Sequence, residues 1–181
     1  MYGLINKSLR AMIIENHGID CWDSVLEKSG VPIESFVSMQ RYEDDVTYAL
    51  VGAASEKLGA SAEECLEAFG YYWATVVAPG SYGLLLNSTG RNLLEFLNHI
   101  NHLHDRITTT FIGYMPPYFE VSHTENRVAL RYESKRQGLT PFVIGILKGL
   151  AERFGSTLTF EPLEKIEVSE GETSVIHFVI N

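Results

Sequence analysis

The sequence predicts an α+β fold: a helical N-terminal subdomain followed by a small antiparallel four-stranded sheet with helices. Three observations carry this. Up to about residue 110 the apolar residues recur at helical spacing. After Met115-Pro116-Pro117 they alternate. One amphipathic segment, 142–154, then breaks the alternation. The 181 residues suffice for a single domain with a sizeable core.

Residues 2–16 form the first expected helix, with Leu4, Ile5, Leu9, Met12 and Ile13 on one side and Gly18 just beyond. Asp20 is the expected N-cap of a helix over 21–29 that stops at Gly30. A short segment of undefined type covers 33–39. Acidic residues open a helix over 44–58, where Val46, Leu50, Val51 and Ala54 share a face. Ser61-Ala-Glu-Glu64 is a capping box that opens a helix to about Val77. Residues 79–83 are a turn-rich break, 82–86 a short apolar piece and 87–90 a second break.

The segment 93–107 then forms a helix holding three of the six histidines. At about 100° per residue, Leu93, Leu97, Ile100 and Ile107 fall within roughly 60° of His104, whereas His99 and His102 fall about 140° and 160° away. His104 is therefore buried in the apolar seam and needs a partner for its ring nitrogens. A backbone carbonyl, a carboxylate or a metal would serve.

Beyond the proline pair, strands are expected over 118–123 and 127–134, with a turn at 124–126. Pro141 is the first-turn proline of the helix over 142–154, which Gly155 closes. Strands over 156–162 and 173–180 complete the sheet, with Gly171 in the turn between them and His177 on the face of Val175 and Val179, where a buried, hydrogen-bonded histidine is expected. Strand periodicity puts Tyr132, Ser134 and Arg136 on the face shared by Val128 and Leu130. An unpaired guanidinium cannot stay buried, so Arg136 either reaches water past the strand end or meets an anion. Tyr and Ser hydroxyls beside an Arg fork suit a carboxylate or phosphate.

Fourteen Lys and Arg against 23 Asp and Glu leave a net charge of −9, which argues against nucleic-acid and anionic-membrane partners. Cys21 and Cys65 make no disulfide framework and fit a reducing compartment. The N-terminus lacks the continuous apolar run of a signal peptide, and no apolar run reaches membrane-spanning length. A cytoplasmic protein is expected. A metal hydrolase using His99, His102, His104 and Asp105 is a competing reading, but His99 and His102 lie on the polar face without an evident third ligand or general base.

The segments MYGLINKSL, DDVTYALVGAASEKLG, HLHDRI, MPP and YESKR, in this order, resemble a haem nitric-oxide/oxygen-binding (H-NOX) domain. That family includes the haem domain of soluble guanylate cyclase, and the chain is most similar to its bacterial stand-alone members over the whole length. The resemblance implies a fold enclosing a haem b, with 1–60 as a mainly helical distal subdomain and 61–181 as a proximal subdomain. It implies His104 as the axial iron ligand and Tyr132, Ser134 and Arg136 as the propionate-binding triad. Pro117 is implied to press on the macrocycle, with Ile5, Leu9, Trp73, Phe142 and Ile146 packing the pocket.

Oxygen-binding members carry a distal tyrosine at the start of the helix after the triad. Here 140–144 hold none, and Phe142 falls near that position. Trp73 is a second distal contributor, with Tyr71 and Tyr72 close by. The resemblance therefore implies a sensor of NO and CO that excludes oxygen. Its implied signal is breakage of the iron–His104 bond, passed to a separate effector such as a histidine kinase or a cyclic-di-GMP enzyme. It implies no catalysis by this domain. A haem-binding or storage module without gas signalling is the alternative.

Overall fold

The fold is seen in a computed structural model that describes residues 1–111 and 113–181. The helical part comprises α1 (Gly3–His17), α2 (Ile19–Ser29), α3 (Asp44–Leu58) and α4 (Ala62–Tyr72). A five-residue π turn, Trp73–Val77, leads into α5 (Ala78–Asn87), and α6 follows (Leu93–Thr108). Then come β1 (Tyr118–Thr124), β2 (Arg127–Ser134), α7 (Thr140–Arg153), β3 (Leu158–Phe160), β4 (Glu164–Ile166) and β5 (Glu172–Ile180).

The sheet is antiparallel in the order β1-β2-β5-β3. It has five strands rather than four, because Glu164–Ile166 also pairs with β5. Only three residues long and largely exposed, β4 lacks the alternation that marks a strand in sequence.

Two apolar clusters form the core. Leu9, Ile13, Trp22, Val25, Leu50 and Phe69 centre one, built from α1 to α4. Leu93, Leu97, Leu130, Leu147 and Phe178 centre the other, between α6, α7 and the sheet. Trp73 and Leu139 pack against both.

Local signals explain most element ends. The capping box at Ser61 is formed in both directions, at 3.1 Å and 2.8 Å. Asn92 caps α6 by accepting from the Glu95 N–H at 2.8 Å.

Three local expectations are corrected. Asp20 lies inside the first turn of α2, whose cap position belongs to Gly18. Residues 79–83 are helical, and only Tyr82 departs, at φ −134° and ψ 21°. The π turn already shifts the hydrogen-bond ladder, so Pro79 sits where its missing N–H is not needed. The buried face of β5 is Ser174, Ile176 and Phe178, so His177 faces the other way, 3.4 Å from Glu164.

Candidate functional site

A cavity of about 280 Å³, mostly apolar, lies between the two clusters. It takes Ile5 from α1, Thr47 and Tyr48 from α3, Trp73 from the π turn and His104 from α6. Tyr114, Met115 and Pro117 come from the connector after α6. Tyr132, Ser134 and Arg136 come from β2 and its end, and Phe142 and Ile146 from α7. Every candidate site residue except Leu9 lines this cavity. Leu9, one turn beyond Ile5, is 1% exposed and belongs to the N-terminal cluster.

The His104 ring is flanked by Phe119 at 5.9 Å and Tyr114 at 6.3 Å. Its Nδ1 is buried and has no hydrogen-bond partner. Burial pushes its pKa down to about 4, against opposing effects of a Pro117 backbone hydrogen bond and Asp105. The imidazole is therefore neutral near pH 7, the form in which a nitrogen lone pair can bind a metal. His99 and His102 are exposed, as the helical face requires.

At the other chemical focus, β2 buries Val128, Leu130 and Tyr132 on one face. The strand stops at Ser134, and Arg136 lies just past it. Its Nε donates to Asp44 Oδ2 at 2.8 Å and its Nη1 to the Met115 carbonyl at 3.2 Å. Its backbone N–H donates to Ser134 Oγ at 3.0 Å. Burial pushes the Tyr132 phenol up to about 12, while a hydrogen bond with Ser134 acts the other way. Burial also works to raise the Asp44 carboxyl. The hydrogen bond and charge of the chain's α-amino group, together with Arg136, outweigh it and hold Asp44 below the usual carboxylate range. Gly171, at φ 75°, brings its backbone so close that a Cβ there would lie 2.1 Å from the Ser134 carbonyl. Two of the five guanidinium N–H groups are engaged, so donors remain for an anion.

The wall from α4 and α7 is shaped by glycines. A Cβ on Gly70 would lie 2.0 Å from the Phe142 carbonyl, and one on Gly145 2.0 Å from the Glu67 carbonyl. The two backbones therefore touch, and the Phe142 ring packs against Phe69 at 5.1 Å with the planes tilted by 52°. Glu172 of β5 fixes the start of α7 by accepting from the Leu139 N–H at 2.9 Å and the Thr140 hydroxyl at 2.5 Å. Tyr71 and Tyr72 turn away from the cavity. Their phenols donate to Glu152 and Glu15.

Sequence reasoning missed Asp44, Tyr48, Tyr82 and Tyr114. The first two had a signal, since Asp44, Tyr48 and Val51 recur on one face of α3. Tyr82 and Tyr114 had none, because the π turn and the irregular connector aim them.

An apolar cavity with one neutral imidazole, its Nδ1 without a partner, and a guanidinium–hydroxyl cluster has the donor set of a pocket for a metal-bearing cofactor with acidic groups. The chain belongs to the Haem-NO-binding family, whose model matches residues 2–162. This is a family of haem-based gas sensors.

Soluble guanylate cyclase gcy-31 of Caenorhabditis elegans is 27% identical over 92% of this chain and 24% of its own length. Soluble guanylate cyclase gcy-32 of the same organism is 31% identical over 84% and 23%. The chain thus spans about a quarter of the length of these relatives. An Fe(II) unliganded H-NOX protein mutant from K. algicida is similar in structure, with TM-score 0.85, 25% identity and coverage of 100% of this chain and 97% of that one. The S. oneidensis H-NOX protein in the Fe(II)NO ligation state shares the fold, with TM-score 0.85, 19% identity and coverage of 100% and 99%. No helix among the described residues is long and apolar enough to cross a membrane.

Proposed function

We propose that this chain is an NO-sensing haem domain that also takes CO, excludes stable oxygen binding, and signals to a separate protein. The observation that carries this reading is the buried, unpartnered Nδ1 of His104 at the wall of an apolar cavity. In a haem-free protein that atom is a defect. As the axial donor to a haem b, His104 has a purpose.

Arg136, with Ser134 and Tyr132, holds the propionates by charge-assisted hydrogen bonds. Pro117, Ile5, Trp73, Phe142 and Ile146 supply the apolar cover. When bound, ferrous haem would supply an iron for NO or CO, with His104 as the residue that would hold that iron and release it. On the wall from α1, α4 and α7, Leu4, Ile5, Phe69, Phe142 and Ile146 offer no side-chain donor, Trp73 has only its indole N–H, and the Thr47 and Tyr48 hydroxyls of α3 already donate to Asn6 Oδ1 and the Gln137 carbonyl. A polarised bound oxygen would gain little there.

His104 stands on the cavity face of α6, Pro117 stands in the connector to the sheet, and α1 and α3 of the N-terminal part line the same cavity. A change in what His104 holds therefore acts on the joint between residues 1–60, as distal part, and 61–181, as proximal part. A ligand that favours one arrangement of the two shifts the population, which is the signal. A histidine kinase or a cyclic-di-GMP enzyme is the effector class. The domain itself is a sensor rather than a catalyst.

The test is the absorption spectrum of the ferrous protein under argon, CO, NO and air. A Soret band that shifts with NO and CO but not in air is expected. No Soret band after haem supplementation would end the reading, and a lasting oxygen complex would end the selectivity claim.

A further inference from the structure

Two histidines stand outside the cavity and have no part in the proposed sensing. His99 and His102 lie one turn apart on the exposed face of α6, with ring centres 6.4 Å apart and planes at 40°. They share a polar recess of about 260 Å³ with Ser88, Thr89, Glu95 and Arg106.

The Nδ1 of His99 lies 3.1 Å from the Thr89 carbonyl. A carbonyl only accepts, so Nδ1 carries the proton and Nε2 keeps its lone pair. A backbone carbonyl behind the ring is the usual device that fixes tautomer and direction in a metal-binding histidine. The carbonyl is itself held in place. Thr89 is 8% exposed, its N–H donates to the Leu86 carbonyl at 3.1 Å, and its hydroxyl donates to the Leu85 carbonyl at 2.8 Å.

We propose that His99 and His102 form a second metal site, binding one Zn²⁺ through two imidazoles with water completing the coordination. It faces away from His104 on the same helix. Zinc sits 2.0–2.1 Å from an imidazole nitrogen, which places two ring centres about 5–6 Å apart, so rotation of two exposed side chains closes the gap.

Glu95, one turn before His99, accepts from the Arg91 N–H and Nε at 3.1 Å and 3.3 Å. Arg91 is 90% exposed, so this is a weak surface pair. Among the described residues no three His, Cys, Asp or Glu are already grouped for a metal. The site is therefore open, with two protein ligands. Arg106, 3.3 Å from Ser88 Oγ at the rim, is a like-charged neighbour that opposes cation binding.

The experiment is isothermal titration of the haem-loaded protein with zinc chloride in a non-chelating buffer, followed in parallel by the Soret band. One equivalent with a micromolar Kd is expected. His99→Ala and His102→Ala should each weaken it at least about tenfold. His123→Ala should leave it unchanged, and the Soret band should not move. Uptake equal in the wild type and both variants would overturn the proposal. So would no uptake below about 1 mM, or haem absorption lost in step with zinc added. Because the recess lies outside the cavity, a protein that takes no haem still gives an answer with zinc.

Discussion

The two walls of the cavity are built by different means. The wall from α6 and β2 carries its chemistry on side chains: His104, Tyr132 and Ser134 reach the cavity from regular elements at regular spacing, and Arg136 from just past the end of β2. The wall from α4 and α7 owes its shape to missing side chains, since Gly70 and Gly145 let two helix backbones touch and so set where Phe142 and Trp73 stand. The first wall decides what is held. The second decides what fits beside it. Substitutions should therefore split into loss of binding with the fold intact and loss of packing with the donors intact.

The largest effect falls on His104. His104→Ala should weaken haem retention by more than about a hundredfold, beyond the 10–100-fold usual for outer-shell changes, and added imidazole should restore the Soret band. His99→Ala and His102→Ala should retain haem as the parent does. Equal retention in all three would erase the distinction between the seam and the polar face of α6.

The same residue gives the haem-free protein a pH signature. In the folded chain the imidazole titrates near 4 and in the unfolded chain near 6.5. Between these values the unfolded state binds the extra proton. The stability is therefore full above about pH 6.5 and falls by up to about 3 kcal/mol as pH drops toward 4. Denaturation midpoints of the haem-free protein at pH 7 and 4.5 measure it. His104→Ala should remove most of this slope, and an unchanged slope would mean that other groups carry it.

The second wall breaks differently. Gly145→Ala puts a methyl 2.0 Å from the Glu67 carbonyl, so α4 and α7 must part. The expected cost is about 1–3 kcal/mol, less the roughly 1 kcal/mol that Ala gains over Gly in a helix. Gly52→Ala in α3 meets nothing within 4 Å and should stabilise by about 0.5–1 kcal/mol. Thermal melts of the pair should move in opposite directions, by about 2–4 °C per kcal/mol. Shifts of the same sign would show that the glycines do not set the helix crossing.

This division also explains what could be seen in the sequence. Helical spacing placed His104 in a seam and His99 and His102 outside it. Alternation placed Tyr132 and Ser134 on the core face. Those periodicities survive because each element is regular. Spacing put Ile5 and Leu9 on one apolar side of α1, and only the resemblance made them pocket residues; Leu9 was not separable from Ile5, since a helix face is wider than a cavity wall. Gly70 and Gly145 carry no local pattern: what they permit is contact with a helix some seventy residues away. The π turn at Trp73 hid for a related reason. Pro79 and Gly80 read as a break, and only packing between two clusters keeps the chain helical through them.

The smallest effect concerns how Arg136 is shared. Its Nε is held by Asp44 at 2.8 Å, a contact between α3 and the end of β2, and its side chain is 16% exposed. Arg136→Ala should weaken haem retention about tenfold, the 1.5–3 kcal/mol of a charge-assisted hydrogen bond less what Ser134 and Tyr132 still provide. The ferrous Soret position should not change, because His104 is untouched. Asp44→Asn removes the competing carboxylate but keeps a hydrogen-bond acceptor, so the guanidinium retains its direction and gains net charge for an acidic ligand. Retention should then stay within about threefold of the parent. If Asp44→Asn instead loses haem as fully as Arg136→Ala, the carboxylate orients the guanidinium rather than competing for it, and α3 belongs to the binding wall as much as β2 does.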